Sequence, residues 1–272
     1  MDAQARRFRV KIAFVLALLI VTVALVIGAL PRNLAPSYFD FADQRRFLGI
    51  PRFMDVISNA PWAVIGVSGL LFAWRRRVGP DGPFTEAWER SACVVLFAAV
   101  LGVSIGSAYF HLAPGVGTLL WDRLPMAILL MSVFALIIGD RIGLRAGRVL
   151  FWPLMSLGII SVLHWRYTEA MGKGDFRLYL LIQLFPMLAI PLMLGLFPAR
   201  YTRAGGIWLG LGCYALAKLF ELGDAPVFAV TKVISGHTLK HLSAGLATLL
   251  LLRVVRLRRP VGAGVPPHHR RA

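Results

Sequence analysis

Residues 107–125 read SAYFHLAPGVGTLLWDRLP and set a serine, a histidine and an aspartate around the turn between two strongly apolar segments. An ionisable side chain at membrane depth costs about 2.5–3.5 kcal/mol even on lenient insertion scales. Ser107, His111 and Asp122 therefore mark a site whose partners lie elsewhere in the chain. Residues 235–245, SGHTLKHLSAG, supply them. His237 and His241 stand four apart, so on a helix both imidazoles point from one face.

Composition fixes the class. With 58% apolar and 16% charged residues and a mean hydropathy of +0.70, the 272-residue chain has the make-up of an all-α, polytopic membrane protein. The net charge of +17 does not point to nucleic acid, because Lys and Arg come in short clusters between apolar segments. Cys93 and Cys213 both fall inside predicted spans, which excludes a disulfide framework and leaves no C-x-x-C motif. A zinc ion would have to be held by histidine.

The chain opens on four basic residues, and residues 12–30 then run without a charge for long enough to span a bilayer. A secretory signal has the same grammar but an apolar core of only about 7–15 residues, so this segment reads as an uncleaved anchor. Seven further spans follow at 56–74, 91–112, 119–138, 149–164, 178–197, 205–222 and 231–252. Four regions result: a basic segment with its anchor (1–30), an extracytoplasmic loop read as an ordered cap (31–55), a seven-helix core (56–252) and a basic tail (253–272). Gly102 and Gly106 form a small-residue stripe that allows close helix approach but signals no function. Lys218 and Glu221, three apart, read as an ion pair.

Eight spans place both termini on one side. The loops on that side carry nineteen Lys and Arg residues against seven on the other, so both termini are expected in the cytoplasm. Short loops rich in arginine suggest a bacterial inner membrane. His111 then ends an outward-running span, Asp122 begins the inward-running one beside it, and His237 and His241 sit in the outer turns of the last span. His268 and His269 belong to the inner tail as solvated groups, and His164, beside Trp165, reads as an interfacial histidine.

Three imidazoles suit a tetrahedral zinc ion that keeps its fourth position for water, the pattern of a catalytic site. Zinc lowers the pKa of its water to about 7 and so makes hydroxide available at neutral pH. Asp122 would orient or deprotonate that water. Ser107, one turn before His111, would donate a hydrogen bond to the developing oxyanion.

Ser107-x-x-x-His111, Asp122 and His237-x-x-x-His241, with the Ser58-Asn59 pair at the start of a span, resemble the signature of a superfamily of seven-span hydrolases. It contains alkaline ceramidases, adiponectin-type receptors and GPI-remodelling lipid hydrolases, and the order of the elements is most similar to the alkaline ceramidases. The resemblance covers residues 39–252. It implies His111, His237 and His241 as zinc ligands, Asp122 as acid and base, Ser107 as transition-state stabiliser, and a ceramide-like membrane lipid as the substrate, cleaved at its N-acyl bond near the outer face. Two departures stand out. Residues 12–30 add a span, and FADQRRF replaces an acidic calcium-binding stretch, so that only Asp43 remains as an oxygen ligand and no calcium site is expected. Arg45 and Arg46 are candidates for contacting an anionic headgroup. Other readings are an acyl-ester hydrolase, a receptor with a structural zinc site, and a transporter using Lys218, Glu221 and Asp224.

Overall fold

Backbone N–H and C=O groups cannot stay unpaired in hydrocarbon, so apolar segments satisfy them internally, as helices. The computed structural model describes residues 3–29 and 36–262, and among these it has ten α-helices and no strand beyond two isolated bridges. They are α1 (Ala3–Gly28), α2 (Phe53–Ile57), α3 (Ala60–Arg75), α4 (Ala87–Leu112), α5 (Val116–Arg141), α6 (Leu144–Ala170), α7 (Arg177–Leu196), α8 (Ala204–Leu222), α9 (Asp224–Thr231) and α10 (Gly236–Leu257). Among the described residues seven spans are long and apolar enough to cross a membrane: α1, α2 with α3, α4, α5, α6, α7 and α10.

Helix α8 forms at the expected span 205–222, but it carries Lys218 and Glu221 and is not one of the seven, so seven of the eight expected spans are long and apolar enough to cross a membrane. Its path nevertheless runs the length of the bundle. At the end of α7, the Phe197 carbonyl accepts a hydrogen bond from Arg141 at the foot of α5. At the start of α10, His237 meets His111 at the last turn of α4. Those contacts lie at opposite ends, and α8 is the only helix of sufficient length between them. Helix α1 closes the other flank antiparallel to α7, for Lys11 bonds the Leu196 carbonyl while Arg177 bonds that of Ile27.

Helix α4 is the central element. Phe97, Leu96 and Val100 on it are fully buried against neighbours that include Phe84 and Leu119. Close approach to α5 depends on glycine. A Cβ on Gly106 would strike the backbone carbonyl of Trp121, and one on Gly102 would come within 3.0 Å of Pro125. The end remote from the histidines is tied by buried polar groups. Glu89, in the first turn of α4, accepts from Arg258 at 3.0 Å and from Tyr201 at 2.7 Å.

Several boundaries differ from the sequence expectation, each for a local reason. The second span begins at Phe53 instead of residue 56, and Ser58 and Asn59 lie within it at the joint between α2 and α3. The last span starts at Gly236 instead of residue 231, because Ser235 caps it by accepting the Thr238 N–H at 3.0 Å, and the preceding residues form the separate helix α9. Of the expected cap, residues 36–55 are described; Phe41, Asp43 and Asp55 are buried, while Tyr38, Phe47 and Leu48 are exposed. His268 and His269 lie outside the described residues.

Candidate metal centre

Two helices bring the three histidines together. His111 comes from the last turn of α4, His237 and His241 from the first two turns of α10, and all three are buried. One ring nitrogen from each lies within 4.8 Å of the others, and the Nε2 atoms of His111 and His237 are 3.2 Å apart. Zinc–nitrogen bonds of about 2.0–2.1 Å at tetrahedral angles would separate two nitrogens by about 3.3 Å. The same spacing also suits an N–H···N hydrogen bond. The third ring and the polar shell around it therefore carry the assignment.

That shell is best seen at His241. Ser58 Oγ donates to the Asp55 carbonyl at 3.1 Å and lies 2.8 Å from His241 Nδ1. A hydroxyl has one proton. With it on the carbonyl, Ser58 accepts from His241 Nδ1–H, which leaves the Nε2 lone pair facing the other two rings. Such a hydrogen bond to the far nitrogen is what orients a ligating histidine. Trp62 Nε1 holds the His241 carbonyl at 3.1 Å, and Ser104 holds that of Asn59 at 2.7 Å. His111 is fixed differently. Its Nδ1 has no hydrogen-bond partner, and its ring sits edge-on to Phe41 at 4.7 Å and Phe110 at 5.0 Å.

Backbone groups are held just as closely. Arg52 donates to the carbonyls of His111 and Leu112 at 2.7 and 3.0 Å, so the end of α4 is capped by a cation where the helix dipole favours one. Asp224 accepts from the His237 N–H at 2.8 Å and from the Ala42 N–H at 2.9 Å, joining the cap to the first turn of α10. Asp55, fully buried, accepts from Thr238 at 2.6 Å and Ser235 at 3.3 Å.

Asp122 stands half-buried on α5, close enough to Ser107 to interact with it across the close crossing at Gly106. It is not one of the clustered ligands, which are the three histidines alone among the described residues. Lys240 lies between the two α10 histidines, and its charge is felt at Asp122 and at all three imidazoles. Glu221 restrains it at 2.6 Å and bonds Lys218 at 2.8 Å, so the expected Lys218–Glu221 pair is one half of a three-membered network. Arg45 is engaged within the protein, on both oxygens of Asp43 and on the carbonyls of Lys232 and Val233. Burial pushes the Asp43 carboxyl up, yet the hydrogen bonds from Arg45 hold it below the usual carboxylate value.

Sequence reasoning did not single out Asp55, Thr238, Lys240 or Phe41. Two signals were available, since Ser235 and Thr238 form an N-cap pattern and Asp55 stands one helical turn before Asn59. No model of a known protein family matches the chain, and no curated protein matches it.

Proposed function

We propose that the protein is a zinc-dependent intramembrane hydrolase that cleaves the N-acyl bond of ceramide or a related acyl lipid, as the resemblance to alkaline ceramidases implies. The observation that carries this reading is the buried triad of His111, His237 and His241 beside the Ser107–Asp122 pair. Zinc at the three imidazoles would supply a Lewis acid and an acidified water at neutral pH. His111, His237 and His241 hold it, with His241 oriented by Ser58. Asp122 takes the proton of the attacking water on its carboxylate and returns it to the leaving nitrogen. Ser107 steadies Asp122 at the helix crossing and offers its O–H to the carbonyl oxygen as charge develops there. Acyl chains lie along the apolar helix faces. The basic residues cluster at the end remote from the histidines, which supports cytoplasmic termini and an extracytoplasmic site.

Metal content and acyl release from a panel of N-acyl and O-acyl lipids test the reading on protein purified in detergent. The expected result is one zinc per chain, lost in His111→Ala, and kept in Asp122→Asn with turnover abolished. Full zinc without release from any lipid would favour a receptor with a structural site. A folded protein that takes up no zinc would sink the proposal.

A further inference from the structure

Arg123 follows Asp122 directly, but consecutive helical residues are rotated by about 100°, and its side chain leaves the histidine site for α6 and α7. It is 2% exposed. The rings of Tyr38, Trp165, Phe176 and Tyr179 surround its guanidinium at 5.2, 4.7, 4.1 and 5.1 Å. Aromatic faces offset the charge. They do nothing for the five N–H donors, which need acceptors in the plane of the group. Nη1 is buried without one, and Arg123 enters none of the ion pairs among the described residues.

A second donor in the same cage is also unmatched. Trp165 is fully buried, and its Nε1–H has no acceptor. Tyr179 adds a third, because its oxygen already accepts from Gln183 at 2.7 Å and its own proton is free to be donated elsewhere. The nearest carboxylate along α6, Glu169, one turn after Trp165, also leaves an oxygen unpartnered and makes no ion pair with Arg123. Three donors with no acceptor describe a receptor for an anion. Its depth fits a headgroup: Arg123 is the eighth residue of α5, about 10 Å from the helix start, at the same end of the bundle as the histidines.

We propose that Arg123, Trp165 and Tyr179 receive the anionic group, phosphate or carboxylate, of a membrane lipid, and that the lipid cleaved at the adjacent site belongs to that class. The second half rests on the hydrolase reading; the first does not. A planar guanidinium fork with neighbouring neutral donors is suited to oxyanions in a way a point charge is not.

The test is a binding series on the full chain in dodecyl maltoside, with monododecyl phosphate, dodecanol and inorganic phosphate as probes. Monododecyl phosphate should bind one per chain, at least about tenfold more tightly than either other probe. Tyr179→Phe keeps the ring and removes only its hydroxyl, so it should fold, retain zinc and lose roughly tenfold in affinity; Trp165→Phe removes its donor together with part of the indole and should lose at least as much, as should Arg123→Lys. Equal affinity for monododecyl phosphate and dodecanol, or unaltered binding in all three variants, overturns the anion site. Equal affinity for inorganic phosphate overturns the lipid assignment. In zinc-loaded protein, an N-acyl lipid bearing a phosphate should be cleaved faster than its neutral counterpart, and equal rates overturn the substrate half. Release from neither overturns the hydrolase reading, while the binding series still decides the anion site.

Discussion

At His241 the ligand is made by what stands behind it. Ser58 accepts from Nδ1 and is itself held by the Asp55 carbonyl, so a single hydroxyl sets both the tautomer and the ring plane. Removing an outer partner of this kind typically costs ten- to hundredfold in metal affinity. Ser58→Ala should therefore weaken zinc binding by about that factor in competition with a chelator, and should leave the thermal midpoint of the chelated protein nearly unchanged. An unaltered affinity would show that Ser58 only packs. The three histidines were legible in the sequence because two of them share a helix face and the third ends an apolar run. Asp55 and Lys240 were not. Asp55 makes its contacts to Thr238 and Ser235 across about 180 residues, and Lys240 is read as a network member only once Glu221 is seen beside it. Nothing in a one-dimensional pattern carries those pairings.

Among the elements, the crossing of α4 and α5 decides whether Ser107 reaches Asp122. Gly106 allows it, since any side chain there would meet the Trp121 carbonyl, part of a helix backbone that cannot turn aside. Overpacking a close crossing typically costs about 1–3 kcal/mol. Gly106→Leu should lower the unfolding midpoint and abolish acyl release, whereas Gly117→Ala, at a position with open space around it, should leave both within error of wild type. Equal midpoints for the two variants would show that the helices have room to separate. The Gly102–Gly106 spacing was visible in the sequence as a small-residue stripe, but its meaning was not, because such stripes are common and only the facing backbone gives this one a task. Helix α8 makes the same point from the other side. Its span was read from the sequence, it is not among the seven helices long and apolar enough to cross a membrane, and the contact of His111 with His237 is what requires it to traverse the bundle.

For the whole molecule, the orientation in the membrane determines which compartment meets the histidine cluster. The fold fixes the two ends independently of the membrane, with the three histidines and the turn between α6 and α7 at one end, and the Glu89–Arg258–Tyr201 cluster and the turn between α3 and α4 at the other. Arg75, Arg76 and Arg77, Arg141, Arg145 and Arg148, and Arg253, Arg256, Arg258 and Arg259 all belong to the second end, which is the pattern that retains a loop in the cytoplasm. The charge at the histidine end is largely neutralised or held internally, as in the Arg45–Asp43 and Arg177–Asp175 pairs. Lys173 and Asp81 are exposed, one at each end, and the native cysteines lie within α4 and α8. Lys173→Cys in intact cells should react with a membrane-impermeant thiol reagent, and Asp81→Cys should react only after the membrane is opened. The reverse pattern would put the histidine cluster on the cytoplasmic side. Reaction at both positions in intact cells would mean that the chain inserts in two orientations, so that the charge difference between the ends is too small to select one.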